Sequence, residues 1–297
     1  MAEQQIFMDQ AYTSNKSWIY GGIGVLIFAG SLPMTQLAVN QLNPWLVTGL
    51  RGVIAGAIAL ILLKTRQQPI PTGKQWKILA VIAAGVVLGF PLLTALALQY
   101  VSSAHSVVFL GLLPLCTSLF SALREKHIPG PLFWCFAVVG SACVVGYAIS
   151  QITATSLVGD ALMLAAIITC GLGYAEGAAL SRKLGGWQVI CWALVVSLPV
   201  LLPLTVVLLP AAHLQNIHFS TIAGLVYVTL FSMLIGFFFW YQGLALGDTA
   251  KISQLQLLQP FIALGLSALI MGDTINSGML MACVGALLCV VGIRRYG

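Results

Sequence analysis

Charge is what this sequence has least of. Of 297 residues only 7% are Asp, Glu, Lys or Arg, while 60% are hydrophobic and the mean hydropathy is +1.01. A soluble globular domain carries about 25% charged residues. A water-soluble chain of this length is therefore excluded, and the solvent of most of these side chains is lipid. Enzyme motifs are missing too: there is no HExxH, no nucleophile elbow and no phosphate loop. The seven cysteines (116, 135, 143, 170, 191, 283 and 289) lie inside apolar segments, without paired ligand spacing or the loop context of a disulfide framework. They read as small packing residues. His213 and His218 share a loop but have too few companions for a metal site. No metal and no cofactor is expected. The polar stretch from Met1 to Lys16 lacks the charged, apolar, small-residue order of a cleaved signal.

What is present in abundance is long apolar runs. Ten are found, at about 18–38, 44–63, 76–98, 102–122, 129–149, 158–180, 188–209, 219–243, 250–270 and 275–293. Their length and continuity suit transmembrane helices and not barrel strands. The expected fold is all-α and integral to the membrane, with membrane lipid as its surroundings. The net charge of +6 sits in short loops and not in a patch, so no nucleic-acid partner is expected. Of the 13 basic residues, 12 fall on one side of the ten-span topology, and the thirteenth, Arg51, lies within the second span. The positive-inside rule then puts both termini in the cytoplasm and the chain in the plasma (inner) membrane.

The chain also resembles itself. A shift of 146 residues lays Ala104–Gly146 on Ala250–Gly292 with 11 identities over 43 positions, among them Pro114/Pro260 and Gly146/Gly292. Five spans per half is an odd number, so the second half enters from the opposite side. The expectation is a cytoplasmic tail (1–17) followed by two five-helix inverted repeats (18–149 and 158–295), an architecture that holds substrate near the bilayer midplane between the halves.

Several stretches carry a family resemblance. They are Pro44 with Arg51, ALQYVSSAHSVVFLGLLP (97–114), GDALMLAA (159–166), SRKL (181–184) and LLQPFIALGLSALIMGD (257–273). In their order and spacing the chain resembles the drug/metabolite transporter superfamily, in particular its ten-helix members built of two EamA-type repeats. Two positions depart from that pattern. REKHIP (124–129) stands where a Gly-Glu pair usually follows the fourth helix, although Gly272-Asp273 keeps a version in the second half. His105 occupies a position usually held by a small residue. The resemblance implies a secondary transporter working by alternating access. It would move small molecules such as amino acids, related metabolites or drugs, most often outward, with proton coupling or exchange. An importer or a lipid-linked flippase of the same fold remains an alternative. An intramembrane enzyme would need a cluster of acids or histidines at one depth, which the sequence does not offer.

Polar residues within spans are costly and mark candidate sites. Arg51 lies about 10 Å into the second span from Pro44 at 1.5 Å per residue. It reads either as an attractor of an anionic substrate group or as a side chain snorkelling to the interface or tying helix ends. Glu176 is the candidate coupling residue, for protons; the competing reading is a carboxylate reaching Arg182 or Lys183. Ser253, Gln256 and Gln259 recur at steps of three on one face and are candidate substrate ligands, or else packing contacts. Tyr174 and Tyr241 are candidate liners, whereas other aromatics of 237–240 suit an interfacial belt. Pro33, Pro114 and Pro260 are candidate hinges, and Pro91 and Pro199 also fall within spans, where proline frees a carbonyl. Gly52/Gly56, Gly85/Gly89 and Gly173/Gly177 read as close helix contacts.

Overall fold

A computed structural model describes residues 2–126, 128–150, 156–211, 216–271 and 277–296. His213 and the Gly272-Asp273 pair lie outside the described residues. Everything regular within them is helical, with no strand. Six stretches are long and apolar enough to cross a membrane: Asn15–Val39, Pro44–Thr65, Gly73–Ala97, Leu157–Leu184, Gly186–Leu208 and Phe219–Leu246, with Pro131–Tyr147 a shorter apolar helix. The outside of the molecule carries large apolar side chains such as Ile61, Leu123, Val207 and Leu288. A surface of this kind is stable only against hydrocarbon.

The helices, in chain order, are interrupted where their sequences require it. α1 (Ala2–Ala29) breaks at Gly30 before α2 (Ser31–Val39), whose Pro33 falls in the first turn. Tyr227 holds this break open, donating its hydroxyl to the Ile27 carbonyl at 2.7 Å. A side chain at position 30 would collide with the Tyr227 ring. α3 (Pro44–Thr65) starts on Asn43, whose side chain caps Trp45 N at 2.9 Å, with Pro44 in the first turn, where its missing N–H costs nothing. α4 (Gly73–Ile82) opens on a Thr72/Gln75 capping box and runs into a π-helical segment, Ala83–Gly89, before α5 (Phe90–Ala97) with Pro91 in its first turn. α6 (Ser103–Leu110) and α7 (Leu113–Glu125) are separated by a turn at Gly111 and Leu112, just before Pro114.

α8 (Pro131–Ile149) completes the first half of the chain. α9 (Leu157–Leu184) is continuous and ends at Gly185, whose φ of +96° suits glycine alone. α10 (Gly186–Leu208) follows. α11 (Phe219–Val226) passes through a second π-helical segment, Tyr227–Ile235, into α12 (Gly236–Leu246). α13 (Thr249–Ser253) is capped by Asp248, and a 3₁₀ turn, Gln254–Leu258, leads to α14 (Gln259–Met271) with Pro260 as its second residue. α15 (Ser277–Tyr296) ends the chain.

The most extensive pairings are α3 with α10, α1 with α12, α8 with α15, and α7 with α9. Lipid supplies no hydrophobic drive between helices, so close backbone approach has to do this work. The glycine pairs serve it. A methyl group on Gly85 would stand 2.5 Å from the Thr169 carbonyl and against Gly173, while Gly52 and Gly56 receive Leu201 and Leu198 of α10.

Candidate substrate cavity

The breaks converge on one place. A cavity of about 20 Å³ opens among Phe28, Ser31, Arg51, Phe90, Tyr174, Ser232, Phe237 and Gln259, with Pro91 and Leu113 also on its wall. That is room for about one water molecule. Each irregular stretch supplies part of the wall. Ser31 stands next to the Gly30 break, Pro91 just after the first π segment, Leu113 after the Gly111 turn, and Ser232 within the second π segment. Gln259 follows the 3₁₀ turn. Interrupting a helix frees backbone carbonyls and alters side-chain register, which gives a polar lining inside hydrocarbon at little extra cost. One backbone carbonyl at a break is visibly used, that of Phe28, to which Gln259 Nε2 donates at 3.2 Å; beside it Ser31 Oγ donates to Ser232 Oγ at 2.8 Å.

Three residues singled out from the sequence, Arg51, Tyr174 and Gln259, meet at this wall. Arg51 is only 5% exposed, so it does not snorkel, and its Nε has no hydrogen-bond partner. Gln256 is 1% exposed and lies beside Tyr174. Tyr241 packs edge-on to Tyr174 at 6.4 Å but turns its hydroxyl to the Gly173 carbonyl at 3.1 Å, over the gap left by Gly177. It therefore stands behind the wall and not in it.

Ser253, Gln256 and Gln259 all face the protein interior, but they do not form one lining stripe. Ser253 Oγ bonds Ala250 O at 2.8 Å and meets Ser118 Oγ of α7 at 3.2 Å. Gln254, which sequence reasoning passed over, donates to the same Ser118 at 2.9 Å. These two fasten the end of α13 and the start of the 3₁₀ turn to α7.

Ionisable groups pair at the two ends of the α6–α7 face on α9. At one end Glu176 is not isolated: it accepts from Arg124 Nε at 2.9 Å, a partner other than the Arg182 or Lys183 expected. Arg182 instead pairs with Glu125 at 2.8 Å and donates to Thr249 Oγ1 at 2.7 Å. At the other end buried His105 meets Asp160 at 2.6 Å. The sequence flagged His105 only as an unusual residue. Ser31, Ser232 and Gln254 carried no signal at all beyond the nearness of Ser31 to Pro33. Among the described residues no group of three His, Cys, Asp or Glu could hold a metal.

Comparison with known proteins agrees with this architecture. The chain is 50% identical over 283 residues to the "Uncharacterized transporter YdeK" of Bacillus subtilis, covering 95% of this chain and 98% of that one. It is 25% identical over 268 residues to "Protein PecM" of Dickeya dadantii, covering 86% and 85%. A solved crystal structure at 16% identity superposes with a TM-score of 0.78 over 95% of this chain and 99% of that chain, a likeness of fold. The profile of the EamA-like transporter family matches residues 16–149 and again 157–295. The chain belongs to that family: it is a multi-pass membrane transporter with a small-molecule substrate, and not an enzyme.

Proposed function

We propose that the chain is a secondary transporter that exports small metabolites, amino acids or related compounds and drugs among them, by alternating access. It would have ten spans in two inverted five-helix repeats, 18–149 and 158–295, after the tail 1–17. The observation that carries this reading is the cavity, a mainly apolar pocket carrying a few polar groups (Ser31, Arg51, Tyr174, Ser232 and Gln259) and walled by the interrupted stretches of both halves. The ten-span reading adds α6 with α7, α8, α13 with α14, and α15 to the six long stretches. Pseudo-symmetry supports it. Under the 146-residue shift the π segment Ala83–Gly89 falls within Tyr227–Ile235, and Pro114 at the α6–α7 break falls on Pro260 after the 3₁₀ turn. Equivalent weak points in two inverted halves let either half adopt the other's conformation.

As it stands the cavity is far smaller than the roughly 300 Å³ a metabolite needs. Loading therefore requires the helices to part, with Pro33, Pro114 and Pro260 at the flexing breaks. Substrate would meet Arg51, Tyr174, Gln259 and, once the 3₁₀ turn shifts, Gln256. Glu176 would couple movement to protons by releasing Arg124 when protonated, loosening α7 from α9. Both termini would be cytoplasmic and the membrane the plasma (inner) membrane. Counterflow in proteoliposomes, against a panel of amino acids, organic acids and cationic drugs with and without a proton gradient, tests this. Exchange that an imposed gradient accelerates supports it, and a folded protein that moves no solute refutes it.

A further inference from the structure

Resting on the reading of this cavity as the substrate site, we infer that the transported molecule is a monoanion, a carboxylate on a compact apolar or aromatic body, held by Arg51. Arg51 is the one charged side chain on the cavity wall. Among the described residues it forms no ion pair, and its buried Nε is unpartnered. Four acids of the described residues are engaged elsewhere. Glu125 pairs with Arg182, Glu176 with Arg124, and Asp160 with His105, while Asp248 caps its own helix. A buried charge without a counter-ion is strongly unfavourable in hydrocarbon. A ligand carboxylate would supply two acceptor oxygens matching the guanidinium fork.

Charge balance narrows the class. One cation in the wall is neutralised by one negative charge. A zwitterion would leave the loaded cavity at net +1, and no carboxylate on the wall could meet its ammonium. A phosphate monoester, at about −1.5 to −2 near neutral pH, would overshoot. Phe28, Phe90, Phe237 and the Tyr174 ring offer the apolar remainder of the wall.

The test uses the purified full-length chain in phosphatidylcholine vesicles, so that no anionic headgroup competes. Matched aromatic probes cover the charge classes: benzoate and benzenesulfonate, benzamide, phenylalanine, and benzyltrimethylammonium. Binding is read as the shift in thermal midpoint and transport as exchange of labelled benzenesulfonate, phenylalanine or benzyltrimethylammonium. The two anions are expected to stabilise the wild type, with half-saturation at least about tenfold below that of the other probes, a factor that one charge-assisted fork readily supplies. Arg51→Gln should abolish the preference and Arg51→Lys retain part of it. Gln259→Glu, which puts a resident carboxylate in the same cavity, should suppress benzoate binding and raise the midpoint of the empty protein. That second variant keeps the test open if Arg51→Gln fails to fold. Anion binding that survives Arg51→Gln, or that Gln259→Glu leaves unchanged, overturns the inference. So does exchange of the cation or phenylalanine without any effect of anions, an outcome in which the transport reading stands. Arg51-dependent anion binding with no exchange of any probe leaves Arg51 as an anion site and sinks the reading of this cavity as the transport site instead.

Discussion

Glu176 shows how one contact changes the meaning of a residue. From its position in an apolar run it reads as a lone carboxylate, yet its charge is matched by Arg124, 52 residues earlier. The Arg124 side chain is 43% exposed and that of Glu176 17%, so water takes over much of the pairing when one partner is lost. Glu176→Gln is therefore expected to cost less than about 1 kcal/mol of stability. If Glu176 couples transport, the same variant should lose gradient-driven accumulation while substrate exchange persists. Parallel loss of both, with falling protein abundance, would mean that Glu176 serves the fold. His105 is the opposite case, being buried while its partner is part-exposed. His105→Ala removes a charge-assisted hydrogen bond and leaves a void, so a loss of about 2–4 kcal/mol is expected in denaturation of the reconstituted protein. His105→Gln, which keeps a donor, should lose clearly less.

At the scale of elements the helix breaks are what matter, and they were legible to different degrees. Pro33, Pro114 and Pro260 pointed to three of them, because proline removes a donor and crowds the preceding turn wherever it occurs. The two π segments were not legible. Widening a helix depends on what packs against it, here Thr169 and Gly173 against Gly85, and no residue type announces it. Gly85→Val should consequently disrupt the contact of the first π segment with α9, seen as lowered yield and thermal midpoint, whereas the open Gly22→Val should be silent. The 3₁₀ turn makes a further prediction. Single cysteines at 252 to 260 in a background without native cysteines should react with water-soluble thiol reagents at 256 and 259, with substrate protection. Position 253, occupied with Ser118, should stay unreactive, and labelling at 255 and 258 instead would place the pathway on another face.

For the whole molecule, the proposed topology predicts that a reporter active only outside the cytoplasm, fused after Gly297, gives no signal. Strong activity there would break the inverted-repeat reading along with the orientation. Membrane embedding and family were readable without any structure. Hydropathy and loop charge are properties of the linear chain, and lipid admits few solutions to a chain that is 60% hydrophobic. Which polar groups meet was decided only in three dimensions. Gln259 finds the Phe28 carbonyl 231 residues away, Ser31 finds Ser232 across 201, and Arg51 finds no acid among the described residues. Hydrogen bonds and charge pairs act over a few ångströms, and only packing decides which distant side chains come that close.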